Sequence, residues 1–309
     1  MAALAVVLGG ILPEADNFSA IAGPHIFFLV HRTVTHSILG GAVIAVAVAW
    51  FLWKTGQKRD INRPKFLGLL IAACCGVAGN LALSLGDNFG EKLFWPFSQK
   101  WYVLNLWPQL DPWLLGLLAL VTGIPWLLSV VGEEMGAPRQ HGVSIVGVVA
   151  LLLVAAYCGW RAELHSEAIV ELYSYSYHGA KPDRVGAFPT GISPFNWRGV
   201  VDTYNAIDVL PVPLGPNADF QPDMALTNFK VQDSKALKVA ENAPQLAGWR
   251  NFAIFPFAQI EDTETGKRAT FRDLRYSETG QFQMDPTVTV DLNTYDKITK
   301  IIWHFGNPQ

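Results

Sequence analysis

The sequence predicts an α-helical multi-pass membrane domain followed by a small, mainly β domain of α+β character. Three observations support this prediction. Half of the 309 residues are hydrophobic and only 16% are charged, with a mean hydropathy of +0.23. Nearly all long apolar runs precede Trp160, and alternating apolar patterns follow it. We therefore expect a membrane domain over residues 1–159 and an extracytoplasmic, mostly antiparallel β domain over residues 160–309.

The membrane domain is expected to contain a partial first span and four complete spans. Residues 1–12 are apolar but cover only about half of the ~20 residues that a span requires. They lack the charged n-region and the cleavage site of a signal peptide, so we expect the second half of a span whose first half is missing. The complete spans are predicted at residues 37–53, 66–85, 113–131 and 142–157.

The orientation of these spans follows from the loop at residues 54–65. By the positive-inside rule this loop is cytoplasmic, because a single acidic residue faces five basic ones, Lys54, Lys58, Arg59, Arg63 and Lys65. Alternation along the chain then places residues 14–36, residues 80–111 and everything after Trp160 on the opposite, extracytoplasmic face. The polar residues of the membrane domain would meet on that side.

The C-terminal half has few helical patterns. Residues 160–178 and 233–242 have helical spacing, whereas the segments FPTGISPFNWRGVVDTY, GWRNFAIFPFAQIED, KRATFRDLRYS, TVTVDL and KITKIIWHF alternate as strands do. We therefore expect a small antiparallel sheet packed near the membrane surface.

Composition and motifs exclude several classes of function. The net charge of −3 offers no basic excess for nucleic acid. The three cysteines lie in apolar runs and form no CxxC pair, so neither a thiolate metal site nor a disulfide framework is expected. The chain also lacks a GxSxG elbow, a phosphate loop, a dinucleotide fingerprint and an HExxH motif.

Candidate metal ligands concentrate in residues 11–39, at Glu14, Asp16, His25, His31 and His36. Divalent metals need imidazole nitrogens and carboxylate oxygens that converge from several directions. His31 and His36 are too far out of line to share a helix face. They converge only if His31 lies in a turn and His36 in the first helical turn, with Thr33 or Thr35 as N-cap. The alternative is interfacial histidines that make ordinary hydrogen bonds.

A second polar group follows the predicted second span. Asn80, Ser84 and Asp87 are spaced to line one stripe of an otherwise apolar helix. Polar groups at membrane depth usually face a cavity or a partner. The alternative is that Asn80 and Ser84 form interhelical hydrogen bonds while Asp87 caps the helix end in water.

The motif HRTVTHS at residues 31–37 resembles the HRGxTHS signature of the inner-membrane-associated metal-dependent hydrolases of the YdjM type. Upstream, LPEAD looks like the LPDxD of that family, so Glu14 and Asp16 take the places of its two acidic residues. Downstream, GEKLFWPFS is similar to its glycine and apolar WP segment, and Asp111 matches an aspartate that opens the following helix. SPFNWRGVVDTY and DLRY resemble the extracytoplasmic C-terminal domain of longer members.

The chain departs from the family pattern at three ligand positions. Asn80 and Ser84 stand where the family has HxxxD, and its early N-terminal histidine has no counterpart here. The remaining histidines and carboxylates still match the donors that zinc or manganese prefers.

The resemblance implies a bacterial inner-membrane enzyme that uses a divalent metal, zinc or manganese, to hydrolyse a lipid or envelope substrate. Asp16, His31, His36 and Asp111 are the expected metal ligands. Glu14 and Asp87 are the candidates for a catalytic role. Arg32 would neutralise an anionic substrate such as a lipid headgroup.

Two other functions remain open. The departures at Asn80 and Ser84 favour a catalytically inactive, membrane-anchored homologue whose soluble domain binds an envelope partner. A transporter has less support, because no second matching set of Gly/Pro-broken helices indicates an inverted repeat.

Overall fold

The structure is a computed structural model that describes residues 1–57, 65–134, 145–276 and 286–305. Lys58, Arg59 and Arg63 of the predicted cytoplasmic loop lie outside these residues. The α-helices, α1 to α8, are Ala2–Ile11, Pro24–Val30, Ile38–Gly56, Phe66–Gly86, Pro112–Glu134, Ile145–Ser174, Lys235–Glu241 and Ala247–Phe252. The strands, β1 to β8, are Arg184–Pro189, Asn196–Asp202, Ala206–Pro213, Leu226–Phe229, Pro256–Thr263, Gly266–Asp273, Pro286–Asn293 and Ile298–Phe305.

The helices of the N-terminal half have the length and composition of membrane-spanning helices. Among the described residues, four segments are long and apolar enough to cross a membrane: Ala2–Ala22, Ile38–Gly56, Phe66–Gly86 and Ile145–Ser174. Residues 112–127 form a shorter apolar helix within α5. With the two antiparallel sheets of the C-terminal half, these helices confirm the predicted fold class.

Two helical segments are longer than the sequence predicts. A 3-10 helix, Leu12–Ala22, continues directly from α1, and together they make a segment of 21 residues. Pro13 lies in the first turn of the 3-10 helix and has no N–H to donate, so the α-helical hydrogen bonding of α1 ends before it. The last predicted span and the helix expected after Trp160 form one continuous helix, α6, of 30 residues.

Helices α1 and α4 pack closely because each presents a glycine to the backbone of the other. A Cβ atom at Gly9 would lie 2.4 Å from the carbonyl oxygen of Ala73, and one at Gly76 would lie 2.1 Å from that of Val6. Only glycine allows this approach. Small residues at helix contacts are typical of membrane helices, where close packing replaces the hydrophobic effect as the driving force.

The strands form two four-stranded antiparallel sheets with the orders β1-β2-β3-β4 and β5-β6-β7-β8. The predicted helix near residues 233–242 is confirmed as α7, whose N-cap Ser234 accepts a hydrogen bond from the Leu237 amide. The strand predicted for GWRNF is wrong, because this segment is helix α8. Trp249 and Phe252, three residues apart, both enter the core beside the second sheet.

By its contacts the described chain forms two compact units. The first contains Met1–Asn105, Tyr204–Ile207 and Thr227–Gln309, and the second contains Leu106–Thr203 and Asp208–Leu226. The domain boundary at Trp160 stays a prediction. All predicted site residues except Asp111 belong to the first unit.

Candidate functional site

The motif HRTVTHS forms the connection between α2 and α3. His31 follows α2 with an extended backbone, and Ser37 is the N-cap of α3, where its hydroxyl accepts a 2.9 Å hydrogen bond from the Gly40 amide. His36 therefore lies just before the helix. The predicted cap at Thr33 or Thr35 is wrong, because the Thr33 hydroxyl donates to a backbone carbonyl and the Thr35 hydroxyl donates to a carboxylate.

Asp16 is the centre of a buried polar cluster. Its Oδ1 atom lies 2.8 Å from Nδ1 of His31. Its Oδ2 atom accepts hydrogen bonds from the Arg32 amide, at 2.8 Å, and from the Thr35 hydroxyl. Nδ1 of His36 lies 3.3 Å from the same oxygen. The structure thus brings together three of the predicted ligands, Asp16, His31 and His36.

Glu14 lies on the other side of His36. Its Oε1 atom is 3.2 Å from Nε2 of His36 and accepts a 2.9 Å hydrogen bond from Nδ2 of Asn80. Its Oε2 atom accepts a hydrogen bond from Asn17. Both ring nitrogens of His36 therefore face carboxylates. Asn80 lies in α4, on the polar stripe that the sequence predicts, and its side chain contacts the cluster.

Arg32 and Asp87 form a buried ion pair beside the histidines. The Nη1 atom of Arg32 donates to Oδ2 of Asp87 at 2.6 Å and to the Ser84 carbonyl at 3.4 Å. The other oxygen of Asp87 accepts from the amides of Phe89 and Gly90. Asp87 therefore fixes the guanidinium of Arg32, and its predicted role as a general base stays a prediction.

Glu91 belongs to the same region and was missed by sequence reasoning. Its side chain is 0% exposed, and neither carboxylate oxygen has a hydrogen-bond partner among the described residues. Its backbone pairs in both directions with Tyr102, and the next amide, of Lys92, donates to the Arg32 carbonyl. One feature of the sequence could have indicated it: Glu91 is an acidic residue next to the apolar part of the segment GEKLFWPFS.

The electrostatics of the cluster are dominated by carboxylates. Burial alone would lower the pKa of His36, but hydrogen bonds to Asp16 and Glu14 raise it to about 9. Burial raises the pKa of Glu91 to about 8, although the charges of His36 and Arg32 oppose this shift. Protons on His36 and Glu91 therefore offset the negative charge that the cluster would otherwise carry at neutral pH.

The residues that follow β6 support the loop that carries Asp87 and Glu91. Arg275 donates to Asp273, to the Phe252 carbonyl at 3.0 Å and to the Asn88 carbonyl at 2.9 Å. The Tyr276 hydroxyl donates to the same Asn88 carbonyl at 3.2 Å. The segment DLRY thus holds the loop at residues 87–91 in place.

A comparison with protein families gives a match. A protein-family profile described as YdjM inner membrane protein matches residues 1–165, more than half of the chain. The chain belongs to the YdjM family. No curated protein and no solved structure matches it. The resemblance found in the HRTVTHS and LPEAD motifs is thereby confirmed, and with the apolar helices it identifies an inner membrane protein.

The YdjM match contains the whole cluster as well as Asp111, which lies in the second unit. Oδ1 of Asp111 caps α5 by accepting from the amides of Trp113 and Leu114, and Oδ2 accepts from the Tyr157 hydroxyl at 2.8 Å. These contacts engage both oxygens. The role of Asp111 as a metal ligand stays a prediction.

The cluster of this YdjM protein is closed by hydrogen bonds. In the part of the chain that the structure describes, no three histidine, cysteine, aspartate or glutamate side chains are arranged as a metal site. The nitrogen–oxygen distances, 2.8 to 3.3 Å, are those of hydrogen bonds between the would-be ligands themselves. A metal would have to replace the protons that these bonds share.

Proposed function

We propose that this chain is a membrane-bound, metal-dependent hydrolase whose ligands are Asp16, His31 and His36. The observation that carries the proposal is the convergence of both histidines on the buried carboxylate of Asp16. These residues come from a 3-10 helix and from the α2–α3 loop, so the fold, and not a shared helix face, brings them together.

The donor set and its charge fit a divalent cation. Two imidazoles and several carboxylates are donors that zinc and manganese accept. Four carboxyl groups occupy the cluster, those of Glu14, Asp16, Asp87 and Glu91. Among the described residues that contact these carboxyl groups, Arg32 carries a permanent positive charge. A divalent cation would neutralise this excess while leaving the histidines free of protons, and the imidazoles would turn from the carboxylates towards the metal.

The remaining residues would position substrate and move protons. When bound, a divalent metal polarises the substrate and lowers the pKa of water. Glu14 is the best candidate for general base because its side chain is 39% exposed, whereas that of Asp16 is 2% exposed. Arg32, held by Asp87, would face an anionic group of the substrate such as a phosphoester. The proposed substrate class is a lipid or another envelope component at the membrane surface.

Metal content tests the proposal directly. Detergent-purified protein is expected to contain about one zinc or manganese per chain, and a His31→Ala/His36→Ala double variant is expected to contain none. The measurement is elemental mass spectrometry on both proteins after identical purification. Hydrolysis of chromogenic phosphoesters and esters should then depend on the same metal. A native protein without stoichiometric metal would reject the proposal.

A non-catalytic membrane-anchored homologue is the second candidate function. The hydrogen bond from Asn80 to Glu14 favours it, because the carboxylate oxygen that would have to bind a substrate or water already accepts a hydrogen bond from this amide. In that case the C-terminal sheets would bind an envelope partner. Turnover that disappears in a His36→Ala variant would decide against this candidate.

We infer that the cluster and the C-terminal sheets face the extracytoplasmic side, because the sequence between α3 and α4 is strongly basic. A Tyr295→Cys variant, at a position 80% exposed, should react with a membrane-impermeant maleimide in spheroplasts. A Thr55→Cys variant at the end of α3 should react only after lysis. Both are made in a background with alanine at Cys74, Cys75 and Cys158. The reverse pattern would invert the assigned orientation.

A further inference from the structure

We propose that a groove in the second unit holds the acyl chain of a membrane phospholipid. The groove is lined by α5, by α6 and by the loop between β1 and β2, and its volume is about 1080 Å³. Every residue that lines it belongs to the second unit. The inference is independent of the proposed hydrolase activity, because no lining residue is a candidate metal ligand or catalytic residue.

One face of α5 forms a wall of the groove. Trp113, Gly116 and Leu120 recur at the spacing of a helix face and are all exposed. A Cβ atom added to Gly116 would meet no atom within 4 Å, so this glycine leaves a recess between two large side chains. The neighbouring face of α5 packs against α6 through Leu114. The recess therefore lies in a helix pair that is closely packed on another side.

Polar atoms of the lining are engaged within the protein. The Nε1 atom of Trp113 donates to the Ile192 carbonyl at 2.9 Å, and the Tyr157 hydroxyl donates to Asp111 at 2.8 Å. Apart from Ser193, the other lining side chains are aromatic or aliphatic, or are the single hydrogen of a glycine. A groove of this kind fits an apolar ligand, and its volume is at the upper end of ordinary small-molecule sites.

The groove extends from the membrane surface into the hydrocarbon layer. The apolar sequence of α6 ends at Trp160, and charged residues begin at Arg161. Tryptophan and tyrosine are enriched at such a boundary. The hydrogen bond between Tyr157 and Asp111 brings the start of α5 to the same level, and Leu120 lies roughly 12 Å further along that helix. An apolar groove that begins at the interface and continues into the bilayer has the position and direction of a lipid tail.

The surrounding surface indicates that the occupant is lipid. The described chain buries only 6% of the apolar window of α6. This helix therefore faces the bilayer, and the groove is continuous with its surface through Tyr157 and Trp160. On the opposite rim Ile192 is 70% exposed, and the ring of Phe195 contacts that of Trp160 edge-on at 5.6 Å. Aromatic walls favour one fixed chain, because close van der Waals contact drives association within lipid.

The experiment measures phospholipid that stays bound after detergent extraction. The full-length protein is reconstituted in vesicles of phosphatidylethanolamine and phosphatidylglycerol, extracted again in mild detergent and analysed by native mass spectrometry. We expect about one phospholipid per native chain. Gly116→Trp should reduce the lipid-bound fraction at least ~10-fold, because the indole fills the recess and displaces several methylene groups.

Gly68→Trp is the matched control. Gly68 is an exposed residue of the apolar helix α4, where an added Cβ atom also meets no atom within 4 Å, and it does not line the groove. This variant should retain lipid as the native chain does. A phospholipid with a diazirine in its acyl chain, photolysed in the same vesicles, should label α5 and the β1–β2 loop of the native chain and of the control.

A native chain that retains no phospholipid would overturn the inference, since ordinary bilayer lipids exchange into detergent. Equal retention by Gly116→Trp would place the lipid elsewhere and would also overturn it. A lipid-free dimer that Gly116→Trp dissociates would assign the groove to a second copy of the chain instead. Should Gly116→Trp not fold, Ile192→Asp replaces it, because this exposed side chain contributes little packing. A carboxylate at the rim should lower retention by a similar factor, and unchanged retention would contradict the proposal.

Discussion

Replacing Asp16 with asparagine is expected to abolish metal binding and to lower the free energy of unfolding of the metal-free protein by about 3 kcal/mol. The carboxylate of Asp16 meets His31, the Arg32 amide, the Thr35 hydroxyl and His36 at once. The asparagine side chain has the shape of aspartate but no charge. Its NH₂ group would replace one carboxylate oxygen and would face hydrogen-bond donors instead of accepting from them. His36 would then lose one of the two carboxylates that favour its protonated form.

The measurement is thermal or urea unfolding of stripped protein in detergent, followed by metal titration. Asp223→Asn is the matched control, because Asp223 is exposed in the second unit and its substitution should change neither quantity. A variant at Asp16 that keeps native metal affinity would remove this residue from the ligand set. Loss of metal without loss of stability would mean that the hydrogen bonds re-form around the amide.

Replacing Arg275 with alanine is expected to lower the free energy of unfolding by about 4 kcal/mol and to weaken metal binding. The guanidinium is fully buried, donates to Asp273, Phe252 and Asn88, and lies over the ring of Phe252. Its removal leaves Asp273 as a buried carboxylate without its cationic partner. The Asn88 carbonyl would keep only the donor from Tyr276. The loop that carries Asp87 and Glu91 would then be held less firmly.

Arg268 provides the matched control in the same sheet. It forms an ion pair with Asp291 that is open to solvent, and such pairs contribute little to stability. An Arg268→Ala variant should therefore unfold and bind metal as the native chain does. Equal behaviour of the Arg275 and Arg268 variants would contradict the idea that the segment DLRY supports the cluster.

The sequence predicts the helical half of the fold because spans are long and their apolar pattern is local. It predicts strands less well where aromatic residues are involved, as in GWRNF. Tryptophan and phenylalanine favour strands, but Trp249 and Phe252 are spaced to enter one core from a short helix. Tertiary packing determines that this segment is a helix, and the local sequence pattern does not indicate it.

The candidate site was only partly predictable for a similar reason. His31 and His36 lie close together because the chain between α2 and α3 is not helical. Their spacing shows that convergence needs such a turn, but it does not show that the turn is present. Thr33, Thr35 and Ser37 all carry hydroxyl groups, so the sequence could not tell which one caps α3. Glu91 was missed because its burial depends on the pairing of its backbone with Tyr102 and on the fold around it.

The hydrogen bond from Arg275 to Asn88 joins residues 187 positions apart in the chain. On the ribosome, α1 to α4 are synthesised and can enter the bilayer long before Arg275 exists. The loop at residues 87–91 therefore lacks its hydrogen bond from Arg275 until most of the protein has been translated. The cluster reaches its final structure late in biogenesis. An incompletely synthesised chain contains all side chains of the cluster but not the arginine that stabilises the loop.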